Sequence, residues 1–238
     1  MRKYIVIFVL TFLAVMGLNK YEGVAWAENG VEMDIDMCKV VFSDGASYGI
    51  EIEIAGEDVK KVKTIMIKTP LGKNKNMKLG NSLGLDNITL NANYGNYDDF
   101  KEKFPEGEYS ITLLPKKYGS LKVDMTHDFL PVPVIIYPED GATDVPLNFD
   151  VVWEQISPGA GVYLTLEGGN IEPLSVSLTE ADTSYTIPSG LLQPNTEYEL
   201  SLQVETTIGG GDEGNDLDTI RIIHFTTGSE YTKMNIYG

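Results

Sequence analysis

The sequence predicts an all-β protein built as two tandem antiparallel β-sandwich domains. Three observations predict it. Short runs alternate apolar and polar residues with a period of two, Gly, Pro, Asn and Asp punctuate them at short intervals, and helical periodicity is almost absent. Of the 238 residues, 42% are apolar, 10% aromatic and 22% charged, the make-up of a chain that folds around a core rather than a disordered one.

The first residues have the three parts of an export signal. Arg2 and Lys3 form a basic start, Tyr4 to Leu18 an apolar run, and Ala25-Trp26-Ala27 an A-x-A cleavage site before Glu28. The run is shorter than the roughly 20 residues that a membrane-spanning helix needs. Residues 1–27 therefore read as a signal peptide, and the mature chain is expected to carry no transmembrane segment. In residues 28–130, Tyr48, Ile50, Ile52 and Ile54 alternate with Gly49, Glu51 and Glu53, as in a strand with one wet face. Similar runs cover Val62–Lys68, Ile88–Ala92, Tyr109–Leu114 and Leu121–Met125. The one helical segment is Tyr97–Phe104, where Asp98 and Asp99 suit a first turn and Phe100 and Phe104 share a face before Pro105 and Gly107 stop it.

At Pro131-Val132-Pro133 the composition changes. Residues 28–130 hold 13 basic and 17 acidic residues, whereas residues 131–238 hold only Arg221 and Lys233 against 17 acids. The proline-rich junction and the change in charge independently place a domain boundary near residue 131. Seven strand candidates follow: Val132–Tyr137, Leu147–Trp153, Gly161–Glu167, Ile171–Ser177, Ser184–Ile187, Glu197–Glu205 and Thr219–Thr226. So many strands in about 100 residues point to a two-sheet sandwich. Leu147, Phe149, Val151 and Trp153 take one face of their strand, which puts Trp153 in the core.

These residues resemble the fibronectin type III domain. The likeness is carried by Pro138-Glu139-Asp140-Gly141 before a strand ending in Trp153, by Gly161-Val162-Tyr163-Leu164, by Leu192-Gln193-Pro194-Asn195-Thr196-Glu197-Tyr198, and by His224-Phe225-Thr226-Thr227-Gly228. It covers residues 131–228 and leaves 229–238 as a tail. The resemblance implies that Tyr198 is the corner tyrosine whose hydroxyl bonds nearby backbone. It also implies a spacer, adhesion or protein-binding role.

The formal charge is −17. Nucleic-acid binding is excluded as an expectation, since it needs an excess of Lys and Arg. Cys38 is the single cysteine, so no internal disulfide can form, and it reads as a small buried hydrophobe. Seven lysines crowd Lys60–Lys78, either as an edge that blocks unwanted pairing or as a docking patch for an anionic partner.

Catalytic signals are weak. Gly80-Asn81-Ser82-Leu83-Gly84 matches a nucleophile elbow but lacks the strand-to-helix context, and only His127 and His224 could serve as its base. Asp212, Asp216 and Asp218, in a Gly-rich stretch read as a hairpin loop, offer oxygens suited to calcium, or simply keep the loop solvated. Tyr94 and Tyr97, set among asparagines, could stack on a sugar or frame a turn. The expected protein is exported, without a cofactor, and non-catalytic. It would bind, adhere or give structure at the cell surface or in the periplasm, with a protein or cell-surface partner. The alternative is a calcium- or glycan-binding module, and a hydrolase ranks last.

Overall fold

The computed structural model describes residues 31–78, 87–207 and 216–229. Among them the chain is almost entirely β. The first half contributes β1 (Glu32–Phe42), β2 (Gly45–Ala55), β3 (Thr64–Lys68), β4 (Asn74–Lys78), β5 (Asn87–Tyr94), helix α1 (Tyr97–Lys103), β6 (Gly107–Leu114) and β7 (Ser120–Met125). The second contributes β8 (Ile135–Tyr137), β9 (Ala142–Val145), β10 (Asp150–Trp153), β11 (Gly161–Gly168), β12 (Leu174–Leu178), β13 (Ser184–Thr186), β14 (Glu197–Thr207) and β15 (Asp216–Thr227).

Most of the strands follow from their alternation. On β1, Met33, Ile35 and Met37 turn inward, and on β2 Ile50, Ile52 and Ile54 do the same, so the paired strands present one apolar face. That face packs on the sheet β4-β3-β6-β7 through Ile65, Tyr109, Ile111, Leu113 and Val123, forming the first core. Asn96 caps α1, its side-chain oxygen accepting from the Asp99 backbone N–H at 2.8 Å, and Phe100 from the helix enters the same core. In the second half, β13-β10-β8 faces β12-β11-β14-β15, and Val151, Trp153, Leu164, Leu200, Leu202 and Phe225 fill the space between.

One sheet runs through both halves. Its strand order is β12-β11-β14-β15-β1-β2-β5, with β9 also paired to β15. Most pairings are antiparallel, but β15 lies parallel to β1 from Met37↔Leu217 to Val41↔Arg221, and parallel to β9. Side-chain bonds reinforce the seam. The Asp216 backbone N–H donates to Asp36 Oδ1 at 2.9 Å, Thr219 Oγ1 donates to the Leu130 carbonyl at 3.0 Å, and Arg221 Nη1 to the Phe42 carbonyl at 3.3 Å.

Three strands lie outside the sequence-based expectation. β1 carries Asp34 and Asp36, residue types that strands disfavour, and β4 is almost wholly polar. β9 has only four residues. β15 is also longer than its apolar pattern suggests. It begins at Asp216 because Asp216 and Asp218 pair with Thr207 and Glu205 of β14 on one side while β1 lies on the other.

Candidate functional site

The face of the large sheet that points away from both cores is where the predicted acids sit. On β14 the cores take Leu200, Leu202 and Val204, so Ser201, Gln203 and Glu205 turn outward, and on β15 so do Asp216, Asp218, Ile220 and Ile222. Ile220 and Ile222 join Cys38 and Val40 of β1, with Phe42 against them, in a third apolar cluster. At the end of this strip, Gln203 Nε2 donates to Asp218 Oδ1 at 2.8 Å, and Tyr163 Oη donates to Glu205 Oε1 at 2.8 Å. Asp216 and Asp218 are only 8% and 5% exposed, so they are strand residues inside the fold rather than oxygens of a solvated loop. Asp212 lies outside the described residues. Gln203 Oε1 and Ser201 Oγ are buried here without a hydrogen-bond partner.

Beside the acids, Cys38 is buried, and burial first, then Asp218, Glu51 and Asp36, push its thiol well above the ordinary range. A thiol held protonated in this way is a poor nucleophile. It sits in a row with Gly49 and Asn93. A Cβ at Gly49 would come within 2.8 Å of Cys38 Sγ and 2.4 Å of Asn93 Oδ1, so any larger residue there would force these two side-chain ends to shift. Further along the same face, Glu167 stands opposite Glu199, and burial together with that neighbour raises its carboxyl. His224 Nε2 is 3.1 Å from Glu199 Oε2.

Tyr94 and Tyr97 lie elsewhere, at the α1 end of the first core. Tyr94 closes β5, its ring centroid 6.3 Å from that of Phe100 and 6.0 Å from that of Phe104. Tyr97 opens α1, 38% exposed, with its ring 5.2 Å from Tyr48 and 5.7 Å from His127. His127 Nε2 lies 2.8 Å from the Phe104 carbonyl, which can only accept, so that nitrogen carries the proton; in the neutral ring Nδ1 then accepts from Tyr97 Oη at 3.2 Å. The two tyrosines thus take part in one aromatic cluster through different partners. His127, which sequence reasoning considered only as a base, is the polar member that joins Tyr97 to the turn after α1. Its role has no flanking signature, because both of its ring partners are distant in sequence.

Ser82 falls outside the described residues, and His127 and His224 have separate partners. Among the described residues, no group of three or more His, Cys, Asp or Glu side chains is placed to hold a metal ion. Trp153 is in the second core, with its indole N–H donating to the Asp182 carbonyl at 2.8 Å. Tyr198 is in the same core, and its hydroxyl accepts from the Gln193 backbone N–H at 2.8 Å. No helix among the described residues is long and apolar enough to cross a membrane.

No family model matches the chain, and no curated protein matches it. Among solved structures, the FN1–FN3 domains of chicken CNTN1 are similar at 13% identity and a TM-score of 0.28, over 76% of this chain and 61% of that one. The BSP domain of a biofilm associated protein is similar at 16% identity and a TM-score of 0.25, over 83% of this chain and 30% of that one. The chain thus spans about three-fifths of the first structure and under a third of the second. Scores this low carry no argument about function. What the chain's own strands and pairings show is an all-β sandwich architecture.

Proposed function

We propose that this chain is an exported, non-catalytic binding or adhesion module at the cell surface or in the periplasm, with residues 131–228 forming a fibronectin type III-like unit. One observation carries the reading: the second half sets β13-β10-β8 against β12-β11-β14-β15, with Trp153 between the sheets and the Tyr198 hydroxyl on the Gln193 backbone. Charge narrows the partner. Residues 131–238 carry 17 acids against two bases, so a basic protein surface is favoured and its capture should weaken with salt. The test is binding of the labelled, purified chain to intact source cells over a salt series, alongside fractionation of the native protein. Expected are recovery outside the cytoplasm and saturable binding that falls as salt rises. Recovery only in the cytoplasm, or no binding at any salt, would overturn the proposal.

A second reading is cation binding. Asp216 and Asp218 are buried on one face beside Gln203, whose Oε1 lacks a partner, and Asp212 belongs to the adjoining segment. Calorimetric unfolding in EDTA and then in calcium decides it. A ligand held only by the folded state adds about 2.7 kcal/mol at a hundredfold excess over its Kd. The expected upward shift disappears in Asp216→Ala, and an identical transition in both conditions removes this reading.

A further inference from the structure

The open edges of the two larger sheets are not alike. The four-stranded sheet ends in β4, which carries Lys75 and Lys78, and in β7, which carries Lys122 and Asp124. Charges on an edge disfavour the addition of another strand. The large sheet ends in β12, five residues long, and in β5, eight residues long. β5 reads Asn-Ile-Thr-Leu-Asn-Ala-Asn-Tyr: it has no charge and no proline. It also keeps unbroken register with β2 from Asn87↔Ala55 to Tyr94↔Tyr48, so no bulge twists it away. Its odd-numbered residues, Asn87, Thr89, Asn91 and Asn93, are exposed, while Ile88, Leu90, Ala92 and Tyr94 are half-buried against the first core. Its outer row of backbone N–H and C=O groups has no strand partner among the described residues.

We propose that β5 is a pairing edge, and that it takes β5 of a second copy of this chain in antiparallel register. The argument for this occupant is self-complementarity. An added strand must place apolar residues over the core and uncharged polar ones on the wet face, because a shift of one residue reverses every side chain. β5 meets both conditions against itself. Centred on Asn91, the antiparallel pairing sets Ile88 opposite Tyr94, Leu90 opposite Ala92, Thr89 opposite Asn93, and Asn91 opposite its own copy. The apolar faces of the two copies then join, the asparagines line the opposite face, and the contact closes with two-fold symmetry. The chain's net charge of −17 opposes association, and an edge strand without charge is where that repulsion acts least.

Sedimentation of the purified chain over a concentration series tests this. The expected result is a dimer whose fraction rises with concentration. Thr89→Lys combined with Asn91→Lys abolishes it at an unchanged melting temperature, since both side chains are solvent-facing. Under mild oxidation Asn91→Cys gives a disulfide-linked dimer, because that position meets its own copy on the two-fold axis, whereas Cys38 is buried. A chain that is monomeric at every concentration overturns the proposal. So does a dimer that the double lysine variant retains, or one that cross-links through Ser177→Cys on β12 and not through Asn91→Cys.

Discussion

Trp153→Ala is expected to lower the stability of the folded chain by about 3–5 kcal/mol, the usual range for removing a buried aromatic side chain. Trp153 is 1% exposed, the largest fully buried side chain among the described residues. It ends β10, where pairing shifts register against β8 between Val152 and Trp153, and its backbone N–H donates to the Thr183 carbonyl at 3.0 Å. Truncation opens a cavity between two sheets held apart by their own backbones, so the surroundings can collapse only in part. It also strips the Asp182 carbonyl of its indole donor. Trp153→Phe separates these effects: it keeps much of the volume, loses the hydrogen bond, and should cost clearly less than the alanine. Urea midpoints at a constant slope are the measurement. An unchanged midpoint in Trp153→Ala would mean that the indole does not fill the core.

The placement of Trp153 follows from the sequence because it needs only local information. A period of two in Leu147–Trp153 assigns one side of the strand to the core, whatever strand lies beside it. The start of α1 is readable for the same reason, since Asn96 and the two aspartates after it act on backbone groups within one turn. The path of the large sheet is different. β1 and β15 are about 180 residues apart, and alternation says which face of a strand is wet, not which strand is its neighbour. Asp34, Asp36, Asp216 and Asp218 look like loop residues because carboxylates are poor strand formers. They are tolerated here through specific partners, such as the Asp216 N–H bound by Asp36 and the Gln203 amide bound by Asp218. Tyr94 ends β5 and Tyr97 begins the helix that the sequence places over Tyr97–Phe104, but the spacing of the two tyrosines does not tell that their rings turn to different neighbours.

Leu217→Ala provides the sharpest test of how the two halves are joined, with an expected cost of about 2–5 kcal/mol. By sequence position Leu217 belongs to the second half, beyond the proline-rich junction. In the fold it is 2% exposed and packs in the first core, while Ile223 and Phe225 of the same strand pack in the second. β15 therefore cannot leave one core without disturbing the other, and five register positions of β1 are paired along it. Two domains linked only by a flexible tether would melt in two steps, and each core variant would move its own step. A shared strand predicts one calorimetric transition with equal calorimetric and van't Hoff enthalpies, moved downward by Leu217→Ala and by Trp153→Ala alike. If two transitions appear and Leu217→Ala shifts only one of them, the seam between β1 and β15 does not couple the cores. If one transition moves with both variants, the unit that folds is the whole sheet. The composition change near residue 131 then marks a change of surface charge within a single cooperative structure.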